Sequence, residues 1–397
     1  MSNRPARNST APWRRSDVPP KQIEPRHAAR SFPGPGRKGG LRHGVEMSMS
    51  SGEVGHQVEA KRVSSAAKAT VDAALRVGGL FLAVIAVALV FVIINPNFAN
   101  PNLAVSVLRA MSSVAIMAMG LTLVIVVGEI DLSFGAMYGL AANTLAVVWI
   151  MMGVSVYAAI PIAILVAVCV GLFNGLLVTS MKIPSFIVTL GSYNLLYGLS
   201  LWVSNTSTFN PNYPPPDGNV DPGELNFFIG LTQNIGKYSL SAEIFWMLGI
   251  AVVIGFLLHR SLFGFRLMAI GGNPEAGRLA RLPVRKYKIF AFILCSVLAA
   301  IAGILDFSFI QTSQPDIGLS QTFPVFAAVI IGGASLSGGK GTIVGTLGGA
   351  LLLAELQIGL ALLSPGPHVQ QIFLGAVTIG AVALDLFLTK LRKSRAS

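Results

Sequence analysis

The chain has 397 residues, of which 53% are hydrophobic and 12% charged, and its mean hydropathy is +0.68. Soluble domains are roughly 25% charged, so a water-soluble globular fold is excluded and an all-α, polytopic membrane protein is expected. The net charge of +12 sits largely in a tail and in membrane-flanking loops, which argues against nucleic acid as a partner.

The first 70 residues hold 13 Lys and Arg against 5 Asp and Glu, are rich in Pro, Gly and Ser, and lack apolar periodicity. That composition is expected to give a disordered basic N-terminal tail, with Met47 and Met49 as alternative starting points. A secretory signal would place an apolar run close behind its basic region, whereas the first such run begins near Ala74. From there, segments of about 20 apolar residues, the length that crosses a bilayer, follow one another. Ten spans are expected, centred near residues 85, 115, 143, 167, 194, 250, 299, 328, 352 and 379. They form a membrane domain over residues 71–391, followed by a short cytoplasmic tail, 392–397.

Lys and Arg cluster in the N-terminal tail, in the loop 260–288 and in the C-terminal stretch TKLRKSRAS. The long polar loop 205–240 has one basic residue, Lys237, against Asp217, Asp221 and Glu224. The positive-inside rule then places both termini and the 260–288 loop in the cytoplasm, which agrees with an even number of spans. Cys169 and Cys295 fall inside apolar segments and are read as small core residues. No histidine or cysteine spacing suits a metal ion, no cofactor is implied, and no nucleophile with a base points to an enzyme.

The stretch VIVVGEIDLSFG, residues 124–135, puts Glu129 and Asp131 directly after an apolar run. On a helix, two residues apart, they would point about 200° away from each other. They share a direction only where the backbone is extended, which Gly128 and Gly135 permit. The alternative is that Asp131 or Ser133 caps the third span while Glu129 sits in headgroup water. A second segment, GGASLSGGK at 332–340, shares Gly, Leu, Ser and Gly with GEIDLSFGA at the same spacing. Paired Gly-interrupted segments in corresponding halves of a membrane protein point to a transport site, and here they imply a parallel repeat. The segment SGGKGT is not a phosphate loop, because Ala334 and Gly341 stand where that motif needs Gly and Ser or Thr.

The loop GGNPEAGRLARLPVRKYK carries helix punctuation. Asn273 can cap, Pro274 suits the first helical position, Glu275 meets the dipole, and Pro283 stops the run. Ala276, Leu279, Ala280 and Leu282 form a narrow apolar stripe with Arg278 and Arg281 outside it. So short a helix is not stable alone and needs a surface to pack on, either its own membrane domain or a partner.

The stretches NPNFANPNL, AIMAMGLTLVIVVGEIDLSFGAMYGL, IPSFIVTLG, FGFRLMAIGGNPEAGRLA and VIIGGASLSGGKGTIVGTLGGALL, in that order, resemble the permease subunits of ribose- and xylose-type ABC importers over roughly residues 75–390. The resemblance implies a homodimer of ten-helix permeases in the bacterial inner membrane, served by a separate ABC ATPase subunit and a periplasmic substrate-binding protein that delivers a simple sugar or polyol. It makes the 272–283 helix an ATPase-coupling helix, with Asn273, Glu275, Arg278, Leu279 and Arg281 as its working residues. It also places Glu129, Asp131 and Ser133 at the inner end of the translocation path, as a gate or its support. A path for sugars needs hydrogen-bonding side chains and aromatic faces. Asn143, Asn174, Ser185, Thr189, Ser192, Tyr193 and Asn194 are candidates, with Trp149 and Trp202 nearer the outer face. Two departures stand out: Pro274 and Gly277 in the coupling segment, and Glu355 near the centre of the ninth span. A buried acid there costs on the order of 3 kcal/mol, so Glu355 is expected either to accept hydrogen bonds from a polyol or to pair with another buried polar group. The competing readings are a branched-chain amino-acid permease of the same architecture and an ion-coupled secondary transporter using Glu129, Asp306, Glu355 or Asp385.

Overall fold

A computed structural model describes residues 78–236, 239–363 and 366–394. The expected basic tail, with Met47 and Met49, lies outside the described residues. A helix stands at each of the ten expected centres, because long apolar runs leave the backbone no polar partners but its own.

In chain order these are α1 Gly78–Ile94, α2 Pro101–Val126, α3 Phe134–Ala146, α4 Val156–Ser180 and α5 Ser185–Val203, followed outside the spans by a short α6, Pro222–Gly230. Then come α7 Ala242–His259, α8 Leu262–Gly272, α9 Pro274–Leu279, α10 Val284–Ile310, α11 Thr322–Ile331, α12 Ile343–Leu362 and α13 Pro367–Ser394. α8 and α9 lie in the basic loop, and α13 continues into the segment expected as a tail. Among the described residues, seven helices are long and apolar enough to cross a membrane, α3 being counted with the π-helical turn Val147–Met151 that extends it. The expected eighth span is corrected: α11 has 10 residues, about 15 Å of rise, which is half a bilayer.

α2 and α10 form the centre. α2 is buried on every side from Met111 to Val126, as a helix apolar all round should be. α10 lies against α2, α3 and α4. Its contact with α4 runs along Gly171 and Gly175, and a Cβ at Gly171 would stand 2.5 Å from the Cα of Ile293. Small residues four apart bring the two backbones together, as is common between membrane helices. α4, α5 and α7 form the periphery, with only 28% of the apolar window of each buried.

The loop from 205 to 236 folds over one end of the bundle. α6 sends Phe228 between Trp149 and Phe307, with ring centroids 5.0 Å apart in both contacts. Glu224, counted above as a loop charge, accepts from Trp149 Nε1 at 2.9 Å and from the backbone N of Val156 at 3.1 Å, so it caps α4. Trp149 is buried in this cap, while Trp202 is 79% exposed.

Candidate functional site

Where α2 ends, Gly128 has φ +85°, and the N–H groups of Gly128 and Glu129 close back on the carbonyls of Ile125 and Val124. This is a Schellman-type stop that favours glycine. Glu129 then pairs with Lys288 in the first turn of α10. Nine residues later the Tyr138 hydroxyl donates to Asp306, near the far end of the same helix. Lys288 and Asp306 are 18 residues apart on α10, about 27 Å of rise, whereas nine helical residues would climb only about 14 Å. The chain leaves helical geometry from Glu129 to Leu132, which lengthens its rise per residue, so α3 starts deep inside the bundle.

A ladder of polar side chains holds this segment. Asp131 Oδ1 accepts from the Ser133 backbone N at 2.8 Å and from Ser133 Oγ at 2.6 Å. Asn174 Nδ2 of α4 donates to Ser133 Oγ at 2.9 Å, and Ser192 Oγ of α5 donates to Asn174 Oδ1 at 2.5 Å. Ser185 Oγ accepts from Ile130 N at 3.1 Å, and Thr189 Oγ1 reaches the Ile130 carbonyl at 3.3 Å. Asp131, Ser133, Asn174, Thr189 and Ser192 are buried; Ser185, also buried, lines an opening beside Lys288. Neither Asp131 nor Ser133 caps α3 through its side chain: Ser133 occupies the cap position but makes no such bond.

The second glycine segment lies beside the first. α11 ends with the same pattern of closure, Gly333 at φ +88° and Ala334 N on the Val329 carbonyl. The structural counterpart of Gly128 is therefore Gly333, one residue later than the sequence match suggests. Gly339 N donates to the Val126 carbonyl at 2.8 Å, and the Gly128 Cα is among the atoms nearest a Cβ built at Gly338. Beyond the shared stop the two diverge. Residues 129–132 have no regular structure, whereas 335–340 close on themselves through Ser335 N to the Lys340 carbonyl.

The N-terminus of α11 meets that of α3. A Cβ at Gly135 would stand 2.0 Å from Thr322 Oγ1 and 2.8 Å from the Gly318 carbonyl. α3 and the half-length α11 thus start from one point within the bundle and run to opposite ends. Gln321 Oε1 and Thr322 Oγ1 are buried at this junction without a hydrogen-bond partner among the described residues.

Beside the junction is a charged cluster that the sequence reading missed. Arg109 of α2 donates to Asp306 at 3.0 Å, lies 3.5 Å from Glu243 of α7 as an ion pair, and stacks 3.8 Å above the Phe309 ring. Arg109 and Phe309 line a cavity of about 320 Å³ with Asn102, Ser106 and Ser241. The signal was available, since Arg109 is the one charged residue in α2 and an ionisable group inside a span is functional by default.

α9 is shorter than the expected coupling segment, six residues from Pro274 to Leu279, capped by Asn273 Oδ1 on Ala276 N at 3.0 Å. Arg281 at φ +56° turns the chain before Pro283. Only Leu282 of the apolar stripe packs on the membrane domain; Ala276 and Ala280 are exposed, Leu279 is 82% exposed, and Asn273, Glu275, Arg278 and Arg281 are exposed with them. Gly277 is the buried contact, and a Cβ there would meet Ile270 at an ordinary 3.5 Å.

Two site candidates stand apart from the ladder. Tyr193 is half-buried against apolar neighbours. Glu355 is 7% exposed on α12, which packs chiefly on α2 and α11, and its Oε2 has no partner among the described residues. The expected pairing with another buried polar group is not seen there.

Broken helices meeting inside a bundle, a polar ladder around them and an exposed helix at one end define a membrane permease. Residues 103–382 match the family "Branched-chain amino acid transport system / permease component", and the chain belongs to it. It is 35% identical to the ribose import permease protein RbsC of Escherichia coli (strain K12), over 74% of this chain and 88% of the relative. To the RbsC of Bacillus subtilis (strain 168) it is 34% identical, over 83% and 97%. To the galactose/methyl galactoside import permease protein MglC of Escherichia coli (strain K12) it is 30% identical, over 78% and 94%. No solved structure matches. The protein is thus a transport component and not an enzyme.

Proposed function

We propose that this permease carries a simple sugar across the bacterial inner membrane as a homodimer, taking it from a periplasmic binding protein and drawing on ATP hydrolysis by a separate ABC ATPase subunit. The observation that carries the reading is α9, whose apolar side chain Leu279 and charged edge Glu275, Arg278 and Arg281 face away from the membrane domain. An exposed large apolar residue rimmed by charge fits a docking surface, here one for the ATPase. The cap built by residues 205–236 and the segment 311–318 supply the opposite face for the binding protein.

The cargo is assigned from chemistry and from relatives. The ribose and galactose permeases above are sugar importers by name, and the ladder, Asp131 aside, consists of hydroxyls and an amide suited to sugar hydroxyls. An amino acid would need free charges of both signs at one place, whereas the ladder offers a single carboxylate, Asp131, and the charges of the Arg109 cluster engage one another. In this reading the ladder residues, with Ser185 and Thr189, support the gate formed by residues 129–132 and α3. Glu129 latches that gate to α10, Tyr193 lines its peripheral side, and Glu355 is a second acceptor toward α12.

The test is uptake of labelled ribose, xylose and galactose into vesicles holding the permease, its ATPase and its binding protein, for wild type and Leu279→Asp. Uptake that requires ATP and both partners, and falls at least tenfold in the variant while its melting temperature holds, supports the assignment. Uptake by the permease alone, driven by a proton gradient and indifferent to Leu279, overturns it in favour of a secondary transporter.

A further inference from the structure

We infer that the inner end of the bundle holds a binding site for the phosphate of an anionic phospholipid. A cavity of about 420 Å³ opens there, between α4, α5, α9 and α10. Four cations line it: Lys182 from the α4–α5 turn, Arg278 from α9, and Arg285 and Lys288 from α10. The one carboxylate among its walls, Glu129, is engaged by Lys288. Lys182, Arg278 and Arg285 make no salt bridge among the described residues.

The placement of these charges is unfavourable for the protein alone. Arg285, Lys286 and Lys288 crowd the first turn of the 27-residue α10, whose N-terminus has no side-chain cap and no acid. Cations at the positive end of a helix oppose its dipole, and an anion in the cavity reverses the sign of that interaction. Lys182 adds backbone strain, with φ +57° in the turn that aims it at the opening. A non-glycine residue held there reflects a constraint from its surroundings. Two guanidinium groups suit phosphate because each can donate two parallel hydrogen bonds to its oxygens.

Position selects lipid as the source of the phosphate. Met181 and Phe186, on either side of Lys182 and Ser185 in the chain, are 65% and 50% exposed, and Phe173, Leu176 and Ile187 continue an apolar face along α4 and α5. A headgroup in the cavity leaves its acyl chains against this face. Basic pockets between helices at the cytoplasmic level bind anionic headgroups in this way. The site concerns a lipid contact, although its walls include Glu129 and Ser185 of the gate region.

Native mass spectrometry of the full-length chain, with phosphatidylglycerol, phosphatidylcholine or inorganic phosphate added, tests this. One phosphatidylglycerol is expected to stay bound under activation that strips phosphatidylcholine. Its affinity should fall on the order of tenfold in Lys182→Gln/Arg285→Gln and hold in Lys340→Gln, which removes a cation from another loop. The same adduct from inorganic phosphate, with no preference for phosphatidylglycerol, assigns the cavity to a free anion and overturns the lipid assignment. Equal loss in Lys340→Gln, or displacement of the lipid when the ATPase is added, also overturns it. None of these readouts depends on transport, so they stand whether or not the sugar assignment does.

Discussion

Arg109 stands in α2 between two acids. It is the cation shared by Asp306 and Glu243, both of which are buried. Removing one member of a buried ion pair leaves an uncompensated charge and costs about 3–5 kcal/mol. Arg109→Ala should therefore unfold at a markedly lower temperature in detergent, and Glu243→Gln with Asp306→Asn on that background should restore most of the loss. If the triple variant melts no higher than the single one, the packing of Arg109 on Phe309 matters more than its charge. Asp131 is a different case, because it serves as an acceptor. Asp131→Asn keeps an oxygen for Ser133 N and Oγ, whereas Asp131→Ala leaves those buried donors unmatched at about 1–3 kcal/mol. Thermal melts of the two variants should differ accordingly, with the Asn variant close to wild type.

At the scale of elements, glycine decides which helix ends can meet. A Cβ at Gly271 would lie 1.8 Å from the Val126 carbonyl, against ordinary contacts at Gly277. Gly271→Ala should force α8 away from α2 and lower the yield of folded protein. Gly277→Ala should be accepted and should stiffen α9, raising stability by up to about 1 kcal/mol; equal yields from both would refute this account of the crossing. The positions of the ten helices were legible from hydropathy, because a bilayer allows an apolar run few alternatives. The half-length of α11 was not, since TFPVFAAVII is as apolar as a full span and its shortness depends on the chain 311–321 folding back against α3. The non-helical path from Glu129 to Leu132 was legible in part. Two acids two residues apart after a glycine argued for it, but the partners that hold it come from α4 and α5, which no local pattern reveals. The exposure of Leu279 was open for a related reason: a stripe of apolar residues shows that α9 packs, without showing on what.

At the scale of the whole molecule, α10 is tied to the unit of α2 and α3 at both ends. Lys288 holds Glu129 at the inner end, and Asp306 holds Arg109 and Tyr138 toward the outer end. The two attachments are about 27 Å apart along one helix, with residues 129–132 between them. A transporter that opens alternately to either side must shift something that crosses the bilayer, and α10 cannot move against α2 and α3 while both attachments hold. Release of either should favour a state in which that end is open. The Glu129–Lys288 pair is partly solvent-exposed, at 12% and 19% for the two side chains, so its bias is about 1 kcal/mol, or roughly fivefold in population. Glu129→Gln in the assembled transporter should therefore raise ATP hydrolysis without binding protein by about that factor while hardly changing the melting temperature. Tyr138→Phe should act in the same direction from the other end. Far apart as they are, the two should combine almost additively in free energy if each attachment acts alone. A combined effect no larger than either single one would instead show that α10 moves as one rigid piece, released fully by the loss of either attachment. A lower melting temperature with unchanged hydrolysis in Glu129→Gln would reduce the inner pair to a structural tie and leave the gate to the outer cluster.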